Sequence, residues 1–244
     1  MVVNFYLMLN NKKIVVTGGT GRFGKLLKKN VNKNFIFPTK KELNILEIDQ
    51  IINYLQKKRP KYLIHLAGLS RPIIIHEKNI ALSIKLNIIG TSNLVIACEK
   101  LGIKIIYFST SYVYPEKKGN HNEKSPLLPI NNYAWSKLGG ECAVQMYKNS
   151  LILRVSMTEK PFVHKSAFTN MYTNFIYHED FLKIFLKIID KKGIINIGGP
   201  ISSVYNFVKK ENPEIKKKKL NNYTIPRLPL NASMNINKLL DLIK

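Results

Sequence analysis

The sequence predicts an α/β fold in which helices cover both faces of a doubly wound parallel sheet, with a small C-terminal lobe. Short runs of β-branched and aromatic residues alternate with stretches of helical periodicity along most of the chain. These runs are apolar throughout, as in strands that are buried on both faces of a sheet. A glycine-rich turn follows the first run, and 244 residues, 45% of them hydrophobic, suffice for one such domain with a real core.

The first strands and helices alternate from the start of the pattern. A β-branched strand at residues 13–17 stops at the glycine turn, and residues 25–29 then have the spacing of a helix. A short strand at residues 35–37 ends at a proline. Residues 46–56 carry apolar side chains at the helix period, and residues 62–66 form the third strand.

The alternation continues through the middle of the chain. A long helix is expected from about residue 79 to residue 100, and a strand at residues 104–108. A loop with prolines at positions 115, 126 and 129 then precedes a helix at residues 133–147 and a strand at residues 151–155. Because strands and helices alternate without interruption, we expect the strands to lie parallel.

The pattern weakens beyond position 156. A helix at residues 181–189, a strand at residues 194–197 and a last helix at residues 236–243 are the elements that remain. We therefore divide the chain into a core over residues 1–155 and a small lobe over residues 156–244, with strands of the lobe returning to the core. The lobe is too small for an independent domain of usual size.

The composition limits the kinds of partner that we expect. The 39 Lys and Arg against 15 Asp and Glu give a formal net charge of +24. The lysines are spread over the whole chain, so we interpret them, including the run at residues 216–219, as solvated side chains rather than a nucleic-acid surface. A positive field still attracts anionic small molecules. Two cysteines without a Cys/His cluster predict neither a disulfide framework nor a metal site.

Membrane and export signals are also lacking in the sequence pattern. No uninterrupted apolar run reaches the length that spans a bilayer. The opening segment MVVNFYLMLNNKK has no basic stretch ahead of its apolar residues, and we interpret it as an N-terminal arm rather than a signal peptide. The sequence thus predicts a cytoplasmic protein with neither a membrane nor a nucleic-acid partner.

The glycine turn has the spacing of a dinucleotide-binding site. Gly18, Gly21 and Gly24 are three residues apart, directly after a strand and at the start of a helix. In such a turn the first glycine permits the sharp bend, the second lets the backbone approach a pyrophosphate, and the third lets helix and strand pack closely. The core at residues 1–155 is therefore predicted to be a Rossmann-type dinucleotide-binding domain, and the lobe at residues 156–244 to lie beside the substrate.

Basic residues near this turn favour one dinucleotide. An acidic residue after the second strand would bind the adenosine ribose of NAD(H), but that stretch is basic, with Lys40 and Lys41. Arg22, inside the glycine turn, is a further cation that suits a 2′-phosphate. We predict NADP(H) as the favoured cofactor, with NAD(H) as the alternative.

A tyrosine and a lysine lie four residues apart on the helix at residues 133–147. Tyr133 and Lys137 therefore share one helix face, and an ammonium beside a phenol is expected to lower the phenol pKa, so that the phenol exchanges protons near neutral pH. The strand at residues 104–108 runs into Ser109, Thr110 and Ser111, at the carboxyl end where ligands of open α/β sheets bind. A hydroxyl there can hold a substrate oxygen.

Together these motifs resemble the extended short-chain dehydrogenase/reductase family. Within that family the sequence is similar to the branch of dTDP-4-dehydrorhamnose reductases and NAD-dependent sugar-nucleotide epimerases. The stretches that carry the likeness are TGGTGRFG (17–24), HLAG (65–68), NIIGT (87–91), FSTSYVY (108–114), YAWSKLGGE (133–141) and LR (153–154), and for the branch KELNI (41–45), STSYV (109–113) and PRLPLNASM (226–234).

The resemblance implies an NADP(H)-dependent reductase of a nucleotide-linked 4-keto-6-deoxy sugar, in deoxysugar or polysaccharide biosynthesis. Tyr133 would protonate the carbonyl oxygen, Lys137 would bind the nicotinamide ribose, and Thr110 would hydrogen-bond the reacting oxygen. Asn87 matches the asparagine that supports the lysine through water, or is a polar residue of a helix interior. The implied cofactor contacts are Gly18, Thr20, Gly21, Arg22, Phe23, Gly24, Lys40, Ala67, Gly68, Tyr133 and Lys137.

Two alternatives stay open at this point. One is a nucleotide-sugar epimerase on the same scaffold, which oxidises and re-reduces its substrate with the cofactor retained. The other is a cofactor-binding regulatory subunit without catalysis, since a fold alone does not confer activity. The resemblance also suggests a homodimer.

Overall fold

The structure is a computed structural model that describes residues 12–221, 223 and 225–244. Of the predicted N-terminal arm, only Lys12 and Lys13 lie within the described residues. The strands are β1 (Ile14–Thr17), β2 (Phe35–Ile36), β3 (Tyr62–His65), β4 (Lys104–Thr110), β5 (Ser150–Val155), β6 (Met157–Thr158), β7 (Ser166–Phe168), β8 (Tyr172–Thr173), β9 (Ile176–Tyr177), β10 (Gly193–Ile197), β11 (Ser202–Ser203) and β12 (Lys216–Lys218).

The helices connect successive strands of the core, as the alternating pattern predicts. The helices are α1 (Arg22–Asn30), α2 (Ile48–Lys58), α3 (Ile74–Lys78), α4 (Ile80–Ser83), α5 (Gly90–Lys100), α6 (Asn132–Met146), α7 (His178–Ile188), α8 (Val204–Lys209) and α9 (Asn237–Ile243). A π-helical segment, Ile84–Ile89, joins α4 to α5, and a 3₁₀ turn, Ser111–Val113, follows β4.

A six-stranded parallel sheet forms the centre of the molecule, in the order β10-β5-β4-β3-β1-β2. Strand β1 lies between β2 and β3, so the chain adds β2 on one side and then crosses back to β3, β4 and β5 on the other. The predicted doubly wound Rossmann-type fold is confirmed. Strand β10, from the C-terminal part of the chain, extends the sheet beside β5.

Hydrophobic cores lie on both faces of the sheet because its strands alternate their side chains between two layers. Ile14 and Val16 of β1 point into a core with α1, α7 and α9. Val15, between them, points into the opposite core with α2, α5 and α6. All three residues are fully buried, which explains why the strand sequence is apolar without alternation.

The predicted helix at residues 79–100 is continuous from Ile80 to Lys100, but its winding changes along the way. It starts as α4, passes through the π-helical segment and ends as α5. The stretch Ile80–Lys100, with a mean hydropathy of 1.6, has the length and composition that a membrane-crossing helix needs. Leu94, Ala97 and Cys98 are nonetheless fully buried among the core side chains, so the protein interior already accounts for this apolar face.

The C-terminal part contains short elements that periodicity did not predict. Strand β12 pairs in parallel with β7, and α8 packs with them around Ala167, Met171 and Val208. The lysine run at residues 216–219 is solvated as expected, but three of its residues form the exposed strand β12. Helix α7 begins at His178, three residues earlier than predicted. Glu179 and Asp180 in its first turn stabilise this start, because their negative charges interact favourably with the helix dipole.

Candidate active site

The glycine turn is held in place by close contact with the loop after β3. Gly18 has a left-handed φ of 74°, and a Cβ at this position would lie 2.4 Å from the Ala67 nitrogen. A Cβ on Gly24 would lie 2.5 Å from the Gly18 oxygen. The fold itself therefore requires glycine at both positions, because a side chain would overlap the backbone.

Gly21 differs from the other two glycines. A Cβ there would meet the Gly18 oxygen at 3.2 Å and no other atom of the described residues within 4 Å. Gly21 also precedes α1 without a side-chain cap, and the first turn of that helix contains no acidic residue. Open space and uncapped N–H groups at a helix N-terminus suit a phosphate group. The turn thus fits the pyrophosphate of a dinucleotide.

This difference predicts contrasting effects of two alanine substitutions. We expect Gly21→Ala to keep the free energy of unfolding within about 1 kcal/mol, yet to weaken dinucleotide binding about tenfold or more because the methyl group enters the phosphate space. Gly24→Ala should instead destabilise the fold by about 1–3 kcal/mol through backbone overlap. Urea denaturation and calorimetric titration with NADPH measure the two effects. Equal loss of stability in both variants would contradict this assignment.

A groove of about 250 Å³ lies along the carboxyl ends of β1, β3, β4 and β5. This is the edge at which open α/β sheets bind ligands. The structure thus brings the glycine turn and the tyrosine–lysine helix to one groove. The predicted site residues that line it are Gly18, Gly21, Arg22, Phe23, Gly24, Ala67, Gly68, Thr110, Tyr133 and Lys137.

Tyr133 is oriented by neighbours on three elements. Thr110, at the end of β4, lines the same groove and acts on its phenol. Its ring packs edge-on against His76 and Tyr112, with centroids 5.1 and 6.3 Å away. Burial raises the Tyr133 pKa, and Thr110 and the charges of Arg71 and Arg22 offset this only in part. The sequence-based expectation of a lowered pKa is therefore wrong, because exclusion of water outweighs the nearby positive charges.

Lys137 is enclosed in the protein on the same helix. Its Nζ lies 4.1 Å from the centroid of the Tyr107 ring, a cation–π contact. Burial lowers the pKa of Lys137 to about 7, and Glu141, one turn further along α6, partly offsets the effect. The lysine therefore changes charge near neutral pH.

The lowered pKa predicts how stability depends on pH. The unfolded chain keeps the Lys137 proton up to about pH 10, whereas the folded protein releases it near pH 7, so this group makes stability rise between these values. Below about pH 7 both states are protonated and the folded state carries the full cost of a buried ammonium. We expect Lys137→Met to stabilise the protein most at about pH 6 and less at about pH 9.

Urea denaturation at several pH values tests the Lys137 prediction. Lys148→Met, which removes an exposed lysine just beyond the same helix, is the matched control and should shift the midpoint equally at every pH. A Lys137→Met effect that is constant across this range would contradict the burial of a titrating ammonium.

Asn87 holds the loop after β3 against α6. Its Oδ1 accepts a hydrogen bond of 2.7 Å from the Leu69 nitrogen, and its Nδ2 donates to the Leu69 oxygen and to the Ser136 hydroxyl at 2.9 and 2.8 Å. A Cβ on the intervening Gly68 would lie 2.7 Å from Asn87 Oδ1. The polar atoms of the amide thus hold the loop after β3 against α6, and Lys137 is not among their partners.

A buried ion pair supports the far side of the tyrosine–lysine helix. Glu141 accepts a hydrogen bond of 2.6 Å from Arg154 Nη2 and one of 2.5 Å from the Ser109 hydroxyl. Arg154 also donates to the Tyr114 hydroxyl at 2.7 Å. The side chains of Glu141 and Arg154 are 0% and 2% exposed. Ser109 therefore braces α6 against β4, and among the predicted strand-end hydroxyls Thr110 is the one that acts on the pKa of Tyr133.

Some predicted cofactor residues lie outside the groove lining. Thr20 is exposed on the glycine turn. Lys40 lines a separate depression with Lys41 and Asn44, beyond the end of β2. This depression adjoins the strand where the adenosine ribose of a dinucleotide is expected. Contacts of Thr20 and Lys40 with a cofactor remain predictions.

The groove lining includes charged and titratable residues that were not predicted from the sequence. Arg71 lies in the loop after β3, Glu159 follows β6, and His178 begins α7. Glu159 pairs with both Arg22 and Arg71. Burial alone would raise the pKa of Glu159, but the two arginines lower it to about 2. A lone acid in a chain so rich in lysine, four residues after a strand end, was the available sequence signal.

One family model matches most of the chain. Residues 12–186 match the family described as RmlD substrate binding domain. Methionine adenosyltransferase 2 subunit beta of Pongo abelii is 27% identical over 177 residues, which are 66% of this chain and 52% of that protein. The chain thus spans about half the length of the curated relatives that it matches.

Two solved structures share the fold over nearly the whole chain. The dTDP-4-dehydrorhamnose reductase of Bacillus anthracis, in complex with NADP, has a TM-score of 0.85 at 24% identity and covers 94% of this chain and 92% of its own. UDP-glucose 4-epimerase of Thermus thermophilus, in complex with NAD, has a TM-score of 0.73 at 18% identity, covering 95% and 92%. At these identities the likeness shows the fold.

Proposed function

Because the chain belongs to the RmlD substrate binding domain family, within the extended short-chain dehydrogenases/reductases, we propose that it is an NADP(H)-dependent reductase of a nucleotide-linked 4-keto-6-deoxy sugar. Such an enzyme serves deoxysugar or polysaccharide biosynthesis. The proposal is supported by the structural relative from Bacillus anthracis, which is named as a reductase of this kind and was solved with NADP.

One observation carries the proposal: the Tyr133 phenol and Thr110 line the same groove as the glycine turn. A general acid must hold its proton at the working pH and reach the oxygen that becomes an alcohol. Burial keeps the pKa of Tyr133 raised, so the phenol is protonated and able to donate. An enzyme that begins by oxidising an alcohol would need the phenolate instead.

Each of the groove residues has its own role in the proposed reaction. When bound, the nicotinamide supplies a hydride to the carbonyl carbon of the sugar. Tyr133 donates its proton to the carbonyl oxygen, and Thr110 orients that oxygen by a hydrogen bond. Lys137 binds the nicotinamide ribose and, in its ammonium form, favours the phenolate that is left. Asn87 positions the loop that carries Gly68.

The glycine turn and the loop after β3 would hold the cofactor. Gly21 leaves open space at the uncapped start of α1, which fits a pyrophosphate. Gly18 and Gly24 shape the turn, while Phe23 is buried against Phe108 beneath it. Lys40 is the cation that favours the 2′-phosphate of NADP(H) over NAD(H), whereas Arg22 is paired with Glu159 in the groove.

A regulatory role is the second candidate. It is favoured by the similarity to proteins that are named as subunits of methionine adenosyltransferase 2. A subunit without catalysis has no need for Tyr133, Thr110 and Lys137 to line one groove. We therefore place the reductase first.

Turnover with defined sugars tests the proposed reaction. The protein is incubated with NADPH or NADH and dTDP-linked or UDP-linked 4-keto-6-deoxy sugars, while cofactor absorbance and sugar products are followed. A reductase consumes one cofactor per product, whereas an epimerase changes the sugar without net consumption. Binding of NADPH with no conversion of any sugar would instead favour the regulatory subunit.

The quaternary and cellular setting belongs to the same proposal. We propose a cytoplasmic homodimer. Its interface would use the apolar side chains that remain exposed on adjoining helices, among them Ile80 and Ile84 before α5 and Trp135 on α6. Sedimentation equilibrium at low protein concentration tests the dimer, and a single-chain mass would exclude it.

A further inference from the structure

A cluster of three charged side chains crosses the mouth of the groove. Glu159 Oε2 lies 3.0 Å from Arg71 Nη1, and Glu159 Oε1 is bonded to Arg22 Nη1. The Glu159 side chain is 14% exposed, whereas those of Arg71 and Arg22 are 37% and 45% exposed. The acid is therefore the enclosed centre of the cluster, and the arginines form its outer sides.

The cluster spans the site because its members come from distant strands. Arg22 follows β1, Arg71 follows β3, and Glu159 follows β5 and β6. In the sheet order β5-β4-β3-β1, Glu159 must reach across the end of β4, where Thr110 is located, to meet either arginine. Both guanidinium charges act on Tyr133. The ion pairs thus pass over the place where the reacting groups would meet.

Glu159 neutralises only part of the positive charge of Arg22 and Arg71. Two guanidinium groups, always protonated, face one carboxylate, and the N-terminus of α1 at Arg22 adds partial positive charge. Among the ion pairs of the described residues, neither arginine has another acidic partner. A diphosphate carries at least two negative charges and accepts bidentate hydrogen bonds from arginine, so it matches this pair better than one carboxylate does.

We propose that Arg22 and Arg71 form a diphosphate clamp, and that Glu159 competes with a diphosphate ligand for both arginines. The inference rests on the proposed function for the two sources of that group, the dinucleotide cofactor and the nucleotide sugar. Because the arginines of these ion pairs are partly exposed, breaking the pairs costs only a little of the free energy of ligand binding.

Glu159→Gln tests the clamp, because it keeps the shape of the side chain and removes its charge. We expect the Kd of the diphosphate ligand to fall about five- to tenfold, since glutamine competes less for the arginines. Arg71→Ala should weaken the same ligand about tenfold. Calorimetric titration is carried out with NADPH and, separately, with dTDP, so that the two arms distinguish the cofactor diphosphate from the substrate diphosphate. Tighter binding in either arm supports the clamp and assigns its ligand.

A control variant separates this effect from a general change of charge. Glu211→Gln removes one negative charge from the ion pair of Glu211 with Lys160, next to Glu159 in sequence but outside the groove lining. It should leave both Kd values unchanged. Glu159→Asp, one methylene shorter, cannot bridge both arginines and gives an intermediate affinity if Glu159→Gln fails to fold.

The result that overturns the clamp is distinct from failure of the proposed function. If Glu159→Gln and Glu159→Asp bind both ligands as the unaltered protein does, or more weakly, Glu159 does not compete for the arginines. If the unaltered protein and every variant fail to bind NADPH and dTDP, the proposed reductase is refuted together with the clamp. Binding without turnover leaves the clamp supported and removes only the catalytic assignment.

Discussion

Tyr133→Phe is expected to lower the rate of carbonyl reduction by about 10²- to 10⁴-fold. The substitution removes the one proton that this groove places beside Thr110, and leaves the ring packed between His76 and Tyr112. Because the ring is retained, NADPH binding and the free energy of unfolding should change little. Single-turnover measurement of NADPH oxidation with saturating sugar isolates the chemical step from binding and release.

Tyr147→Phe is the matched control for the loss of a phenol hydroxyl. Tyr147 caps the C-terminal end of the same helix, and its hydroxyl donates to the Cys98 oxygen at 3.2 Å, away from the groove lining. This variant should retain full turnover. If Tyr133→Phe also turns over at the original rate, Tyr133 is not the general acid and the proposed mechanism fails.

Arg154→Met is expected to have the largest effect on stability, a loss of about 3–5 kcal/mol. It leaves the Glu141 carboxylate, which is 0% exposed, without its cationic partner in the interior. The Ser109 hydroxyl still donates to Glu141 but cannot neutralise it. The midpoint of guanidinium denaturation, followed by circular dichroism, measures the loss.

Two further variants decide whether the ion pair is the cause. The double variant Glu141→Gln with Arg154→Met removes both charges and should recover part of the stability, because no buried charge remains unpaired. Asp241→Asn breaks the exposed pair of Asp241 with Lys244 and should change stability by less than about 0.5 kcal/mol. A double variant as unstable as the sum of the single variants would attribute the loss to packing.

The buried acid also affects the lysine of the site. Glu141 is the charge that raises the pKa of Lys137 against the effect of burial. Glu141→Gln should therefore shift the Lys137 pKa further down, so that the pH dependence of stability begins at lower pH. The ion pair thus serves both the fold and the charge state of the site.

Several features were predictable because their cause is local in the sequence. The strands are apolar throughout, so the parallel sheet with two covered faces follows from pattern alone. The glycine spacing identified the turn, and the interval between Tyr133 and Lys137 placed both on one helix face. Their position at one groove follows because carboxyl ends of parallel strands meet at the same edge of the sheet. The family resemblance is likewise confirmed.

The pKa of Tyr133 and the hydrogen-bond partners of Asn87 could not be predicted in this way. The sequence suggested a lowered pKa for Tyr133, but enclosure by Tyr112, His76 and the groove walls raises it. The link of Asn87 to Lys137 through water, implied by the family resemblance, stays a prediction, whereas the hydrogen bonds of its amide to Leu69 and Ser136 were not predicted. Burial depends on every element packed around a side chain, and no local pattern records it.

The sequence by itself determined the sheet, the glycine turn, the tyrosine–lysine helix and the family, because each depends on residues a few positions apart. Tertiary structure alone decided that Glu159 meets Arg22 and Arg71, 137 and 88 residues away, and that Glu141 meets Arg154 in the interior. Such pairings arise only after the strands have taken their order in the sheet. The physical reason is that charge interactions follow distance in space, whereas secondary structure follows distance along the chain.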